Sequence, residues 1–255
     1  MNIKKHIPNI ITLGNLLCGT IAIILAVRGL FYATAIFVGI GIILDFLDGF
    51  VARLLNVQGE LGKQLDSLAD LVTSGVVPGI VMLQFMVHSS YYREFGFSSW
   101  DAALDIGLSL DNLFSIELIG LLLTLFAGYR LAKFNIDTRQ TDSFIGLPTP
   151  AMNLFVVSLP MIAGYSKNQV VLNCIHNEIF LVTVTIVLSI LMVSELPLFS
   201  LKFKNYSLKD NALKYLFLIA SIVLLILLKF LAIPIIIIIY ILFSILNNIF
   251  MKKAS

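Results

Sequence analysis

Residues 44–73 read LDFLDGFVARLLNVQGELGKQLDSLADLVT, the end of an apolar run followed by a more polar stretch, and they carry Asp45, Asp48, Asp66 and Asp70. The first pair is spaced i,i+3 and the second i,i+4, so on helices each pair occupies one face. A charged side chain at the centre of a bilayer helix costs about 2.5–3.5 kcal/mol on the insertion scale, and carboxylates gathered in one place also repel each other. Arg53 supplies one compensating charge and Lys63 a second; the remaining deficit suits divalent metal. Oxygen-only donors select a hard ion, Mg²⁺ or Mn²⁺. Two such ions side by side can clamp phosphoryl oxygens. Gly49, Ala52 and Gly62 leave room for a ligand to approach the helix backbones.

Outward from this stretch the chain is a membrane protein. Its 255 residues are 59% hydrophobic and 13% charged, against about 45–50% and 25% in soluble domains, and its mean hydropathy is +0.99. Eight apolar segments stand out, at residues 9–27, 31–55, 67–87, 114–134, 150–165, 179–199, 213–228 and 230–250. They predict an all-α polytopic bundle of about eight transmembrane helices, since lipid offers no partner to unpaired backbone groups. With the N-terminus inside, Lys and Arg fall on the inner side except for Arg28, Arg93, Lys167 and Lys229, which predicts cytoplasmic N- and C-termini. Pro78, Pro160, Pro197 and Pro234 lie within apolar runs and are expected to kink them.

Other classes fit poorly. A formal charge of +2 with no basic stripe gives no sign of nucleic acid. Cys18 and Cys174 form no C-x-x-C pair, and His6, His88 and His176 are scattered. The first apolar run is too long for a signal core and reads as a retained helix.

Asp45-x-x-Asp48-Gly49-x-x-Ala52-Arg53 followed by Gly62-x-x-x-Asp66-x-x-x-Asp70 resembles the signature of the CDP-alcohol phosphatidyltransferases at every fixed position. The opening PNIITLGNLLCG, the element YRLAKFN at 129–135 and the turn FIGLPTPA at 144–151 are similar to the phosphatidylserine synthase branch. Thr73-Ser74-Gly75 stands where many members carry Ser-Phe-Gly, and Lys133 replaces an arginine.

The resemblance implies a six-helix catalytic core, here residues 1–200, with 201–255 as a C-terminal helix pair, and a homodimer. It implies that Asp45, Asp48 and Asp66 hold one metal and Asp45, Asp66 and Asp70 the other, with Asp70 also the general base. Asn9, Thr12, Asn15, Gly49, Ala52, Arg53 and Gly62 would bind CDP-diacylglycerol, while Arg130 and Lys133 are candidates for the acceptor carboxylate. The implied reaction is transfer of the phosphatidyl group to L-serine with CMP leaving, in a bacterial cytoplasmic membrane with the site facing the cytoplasm. Glycerol 3-phosphate and inositol phosphate are the alternative acceptors. An ion-conducting or transporter protein is the non-enzyme alternative, since intramembrane acids also mark ion pathways.

Overall fold

Apolar runs of this length have one good option in lipid, and a computed structural model shows it taken throughout residues 6–95, 115–137, 144–198 and 211–254, the part of the chain that the structure describes. Helix α1 (His6–Val27) and α2 (Phe31–Leu54) are joined by a tight turn at Gly29 and pack along their length. Helix α3 (Glu60–Leu71) runs through a π-helical turn (Val72–Val76) into α4 (Val77–Phe95). A 3₁₀ turn (Ile116–Leu121) leads into α5 (Leu122–Ile136), and α6 (Thr149–Tyr165), α7 (Gln169–Ile175) and α8 (Glu178–Val193) follow. Helices α9 (Ala212–Leu228) and α10 (Ala232–Ala254) close the chain.

Each of the eight apolar segments is helical over most of its length. By length and composition, four stretches among the described residues can cross a bilayer: His6–Val27, Phe31–Leu54, Glu60–Ser90 and Lys214–Leu246. Taking α7 and α8, bent by 60°, as one broken span makes five. The last of the four is a hairpin rather than one rod, because the rings of Phe217 and Tyr240, on either side of the turn at Lys229, have centroids 5.9 Å apart. Lys4, Lys5, Arg139, Lys202, Lys204 and Lys209, which carry much of the charge asymmetry, lie outside the described residues.

The core lies between α4, α5, α6 and α8, where Met82, Phe85, Leu123, Met152 and Leu181 are fully buried. Lipid-facing positions are as apolar as the core, so the hydrophobic effect alone does not dictate which side faces in. Small residues decide it on α1, where Gly19, Ala22 and Ala26 are buried and Ile10, Leu17 and Ile24 are exposed.

Pro160 lies inside α6 as expected, and Pro234 falls in the first turn of α10, where its missing N–H costs little. Pro197 differs. Helix α8 ends at Val193, and Pro197 belongs to a two-residue strand, β2 (Pro197–Leu198), paired antiparallel with β1 (Phe144–Ile145). Gly146 continues the connection with φ of 74°, its N–H donating to Leu196 O at 2.9 Å. The FIGLPTPA turn is thereby pinned to the end of α8, which fixes where α6 begins.

Candidate active site

The turn between α2 and α3 builds the site. Asn56 adopts a left-handed φ of 52°, and the N–H groups of Asn56 and Val57 donate back to Arg53 O and Ala52 O at 3.2 and 3.0 Å. This closes α2 in the manner of a helix C-cap, with asparagine in the position that glycine more often fills. Gly59 is extended, and α3 starts at Glu60. So short a connection brings the aspartate face of α3 against that of α2. Asp45, Asp48 and Asp66 each offer an oxygen within 4.8 Å of the others. Asp70 stands outside that triangle but close enough to Asp45 for the two carboxylates to interact.

The nearby cations form no ion pair with these carboxylates. Arg53 Nε donates to Gly49 O at 3.0 Å and Lys63 Nζ to Asn135 O at 2.9 Å. Arg130 is 7% exposed and directs Nη1 to Thr149 Oγ1 at 3.5 Å. No ion pair among the described residues includes any of the four aspartates; the two that occur are Arg93–Glu178 and Lys133–Glu195. Asp48 Oδ2 is buried with no hydrogen-bond partner. Buried anionic oxygens without a partner are costly, and a hard divalent cation among three converging carboxylates removes that cost. The donor set therefore fits the metal that the sequence pattern implies.

Beside the triangle opens a cavity of about 570 Å³. Asn9, Thr12, Gly49, Ala52, Arg53 and Gly62 line it together with Asp48 and Asp66. A Cβ built on Gly49 meets nothing within 4 Å, so its missing side chain leaves open space toward the cavity rather than a packing contact. Val57, Gln58, Gly59, Glu60 and Lys63 complete the lining. Sequence reasoning passed over most of these because their signal is only proximity to the turn.

The remaining expected residues lie elsewhere. Arg130 sits close to Asp70, its guanidinium within electrostatic reach of that carboxylate. Lys133, one turn further along α5, pairs with Glu195 at 3.2 Å. Asn15 does not line the cavity; it is 1% exposed and its Oδ1 accepts the Thr73 hydroxyl at 2.9 Å.

The π-helical turn at Val72–Val76 begins two residues after Asp70 and was not anticipated from sequence. Its only hint is Pro78, whose absent N–H removes one α-helical bond from this region. Side chains take up the carbonyls released: Asn153 Nδ2 donates to Thr73 O at 3.0 Å, and Thr124 Oγ1 to Gly75 O at 3.0 Å.

The sequence pattern of the CDP-alcohol phosphatidyltransferases matches residues 5–246. A CDP-diacylglycerol–serine O-phosphatidyltransferase from Bacillus subtilis is 35% identical over 192 residues, covering 75% of this chain and 89% of that protein. One of the same name from Helicobacter pylori is 36% identical over 152 residues, or 59% of this chain, which spans 55% of that longer relative. An archaetidylserine synthase from Methanothermobacter thermautotrophicus is 28% identical over 175 residues, covering 66% of this chain and 65% of that protein.

Proposed function

This chain belongs to the CDP-alcohol phosphatidyltransferase family, and from that premise we propose that it transfers the phosphatidyl group of CDP-diacylglycerol to L-serine, giving phosphatidylserine and CMP. The observation that carries this reading is the cavity: six of the motif residues expected to hold the CDP portion line it, and carboxylates without a cationic partner form one side.

In the proposed reaction Gly49, Ala52 and Gly62 leave space for the nucleotide, while Arg53 and Lys63 at the rim supply positive charge to its phosphates. Asp45, Asp48 and Asp66 would hold Mg²⁺ or Mn²⁺, and Asp45 and Asp66 with Asp70 would hold a second ion. A metal held there would supply charge neutralisation to the pyrophosphate and the leaving CMP. Asp70 accepts the proton of the serine hydroxyl, a contribution of about 10²–10⁴ in rate for a positioned base. The hydroxyl oxygen forms a bond to the phosphorus that carries diacylglycerol, and the bond from that phosphorus to the CMP oxygen breaks. Arg130, beside Asp70, receives the serine carboxylate. Lys133 already has a carboxylate partner in Glu195, so its part in acceptor binding is the smaller one.

The reading places the site at the cytoplasmic face of a bacterial inner membrane, supported by the loop charges, and takes the enzyme to be a homodimer. Residues 1–200 form its catalytic core. Residues 201–255 form a peripheral helix pair, in keeping with the packing of α10 on α6 and β2. Purified protein incubated with CDP-diacylglycerol and labelled serine, glycerol 3-phosphate or inositol phosphate tests the function. Release of CMP with serine alone is expected, and transfer only to a phosphorylated alcohol would replace serine as the acceptor. Native mass measurement in detergent tests the dimer.

A further inference from the structure

Asn9, Thr12 and Asn15 recur at every third position on one face of α1, yet they end in different places. The first two line the cavity, and Asn15 is sealed one turn deeper. Thr73 Oγ1 donates to Asn15 Oδ1 at 2.9 Å and lies 3.2 Å from the Asn15 backbone oxygen. With Oδ1 on the Thr73 side, the Asn15 NH₂ points away from Thr73. Asn15 Nδ2 is buried and makes no hydrogen bond among the described residues, and the Asp70 carboxylate lies near it.

Thr73 is itself held on several sides. Its backbone oxygen accepts from Asn153 Nδ2 at 3.0 Å. A Cβ on Gly19 would fall 3.0 Å from Thr73 Cα, and one on Gly41 would fall 3.0 Å from Asn15 Oδ1 and 2.9 Å from Thr73 Cγ2. Any side chain at either glycine would push this pair apart. Helices α1, α2 and α6 thus grip the π-helical turn that begins two residues after Asp70, and through it the amide of Asn15.

We propose that Asn15 is a positioning residue for Asp70: its unpartnered NH₂ group, with Oδ1 held by the Thr73 hydroxyl, donates to the Asp70 carboxylate in the working site, and it makes no contact with CDP-diacylglycerol. This rests on the reading of Asp70 as base and metal ligand. A carboxylate free to rotate presents its second oxygen to hydroxyl or cation only part of the time, whereas one anchored by an amide presents it constantly. Partners that orient a ligand in this way typically matter by about 10–100-fold in metal affinity or activity.

The test uses the full-length chain in detergent, with Asn15→Leu, Thr73→Val, Thr73→Ser and the double variant Asn15→Leu/Thr73→Val. Asn15→Leu and Thr73→Val are expected to lower kcat by about 10–100-fold with little change in KM for CDP-diacylglycerol. Thr73→Ser, which keeps the hydroxyl, should restore most of the activity. The double variant should be no worse than Asn15→Leu, because both changes break one chain of contacts. Thr73→Val preserves shape and stands in for Asn15→Leu should the latter fail to fold. A raised KM with kcat intact would make Asn15 a contact of the lipid nucleotide and overturn the proposal. Equal losses in Thr73→Ser and Thr73→Val would reduce Thr73 to packing and overturn it as well. Should the wild-type chain transfer to no alcohol at all, the proposed reaction fails, and Mn²⁺ titration decides this inference by itself. Weaker binding in both single variants supports it, and unchanged binding overturns it.

Discussion

Helices α3 and α4 carry a buried polar cluster near each end, and the two are partnered in different ways. At one end Ser89 Oγ meets His176 Nδ1 at 2.9 Å, Tyr92 stacks on the His176 ring at 4.3 Å, and Arg93 pairs with Glu178 at 2.7 Å. Ser90 donates to Glu117 at 3.3 Å beside them. Asp70 and its neighbours lie nineteen residues away from Ser89, about 28 Å along a helix and close to the thickness of a bilayer's hydrocarbon core. There the carboxylates converge while Arg53, Lys63 and Arg130 are turned to neutral acceptors. Polar groups that satisfy one another join helices. Polar groups left facing each other with like charge need something from outside the chain.

The largest effects should come from emptying or disabling the unpaired end. Chelation with EDTA is expected to abolish CMP release, with Mg²⁺ or Mn²⁺ restoring it; activity that survives exhaustive chelation would remove the reason for the cluster. Asp70→Asn should lower kcat by about 10²–10⁴, the scale of a lost general base, while CDP-diacylglycerol still binds. A variant that keeps most of its turnover assigns the base elsewhere.

Gly49→Val sharpens the contrast between an open and a closed glycine. Its side chain projects toward empty space beside the cavity, so thermal stability should hold while KM for the lipid nucleotide rises about tenfold, the equivalent of about 1.4 kcal/mol of binding. Gly19→Ala, which meets Thr73 backbone, should instead lower stability. Reversal of these two outcomes would mean that the cavity is not where the nucleotide sits.

The smallest effects belong to the paired end. Ser89→Ala deletes a buried hydrogen bond and should cost about 1–3 kcal/mol of stability, and Glu178→Gln, in a partly exposed ion pair, about 0–1 kcal/mol. Neither should alter kcat, and a kinetic effect at that distance would break the division between a structural and a chemical end.

How much of this was legible in the sequence depends on the distance along the chain between interacting groups. The aspartates, Gly49, Ala52, Arg53 and Gly62 fall within one turn-linked helix pair, so their spacing already encoded the site. The eight apolar segments likewise announced the bundle, because lipid permits few alternatives to a helix. Contacts between remote segments left no such trace. Asn15 shares a face with Asn9 and Thr12 and looks equivalent to them, and only the approach of Thr73, 58 residues away, separates it from the cavity. Lys63 reaches Asn135 across 72 residues and Lys133 reaches Glu195 across 62. A sequence pattern can register these charges but not which partner each takes. The π-helical turn is hidden for a related reason. Its bonds are compensated by Asn153 and Thr124, on two other helices. The early end of α8 was concealed because Leu196, Pro197, Leu198 and Phe199 resume the apolar segment after Ser194 and Glu195, and at Pro197 a two-residue ladder takes over from the helix.

An anomalous difference map from crystals of the full-length protein grown with Mn²⁺ tests the central claim most directly. The account predicts a peak coordinated by Asp45, Asp48 and Asp66. A map with no peak among those side chains, from crystals whose enzyme retains Mn²⁺-dependent activity, would contradict it.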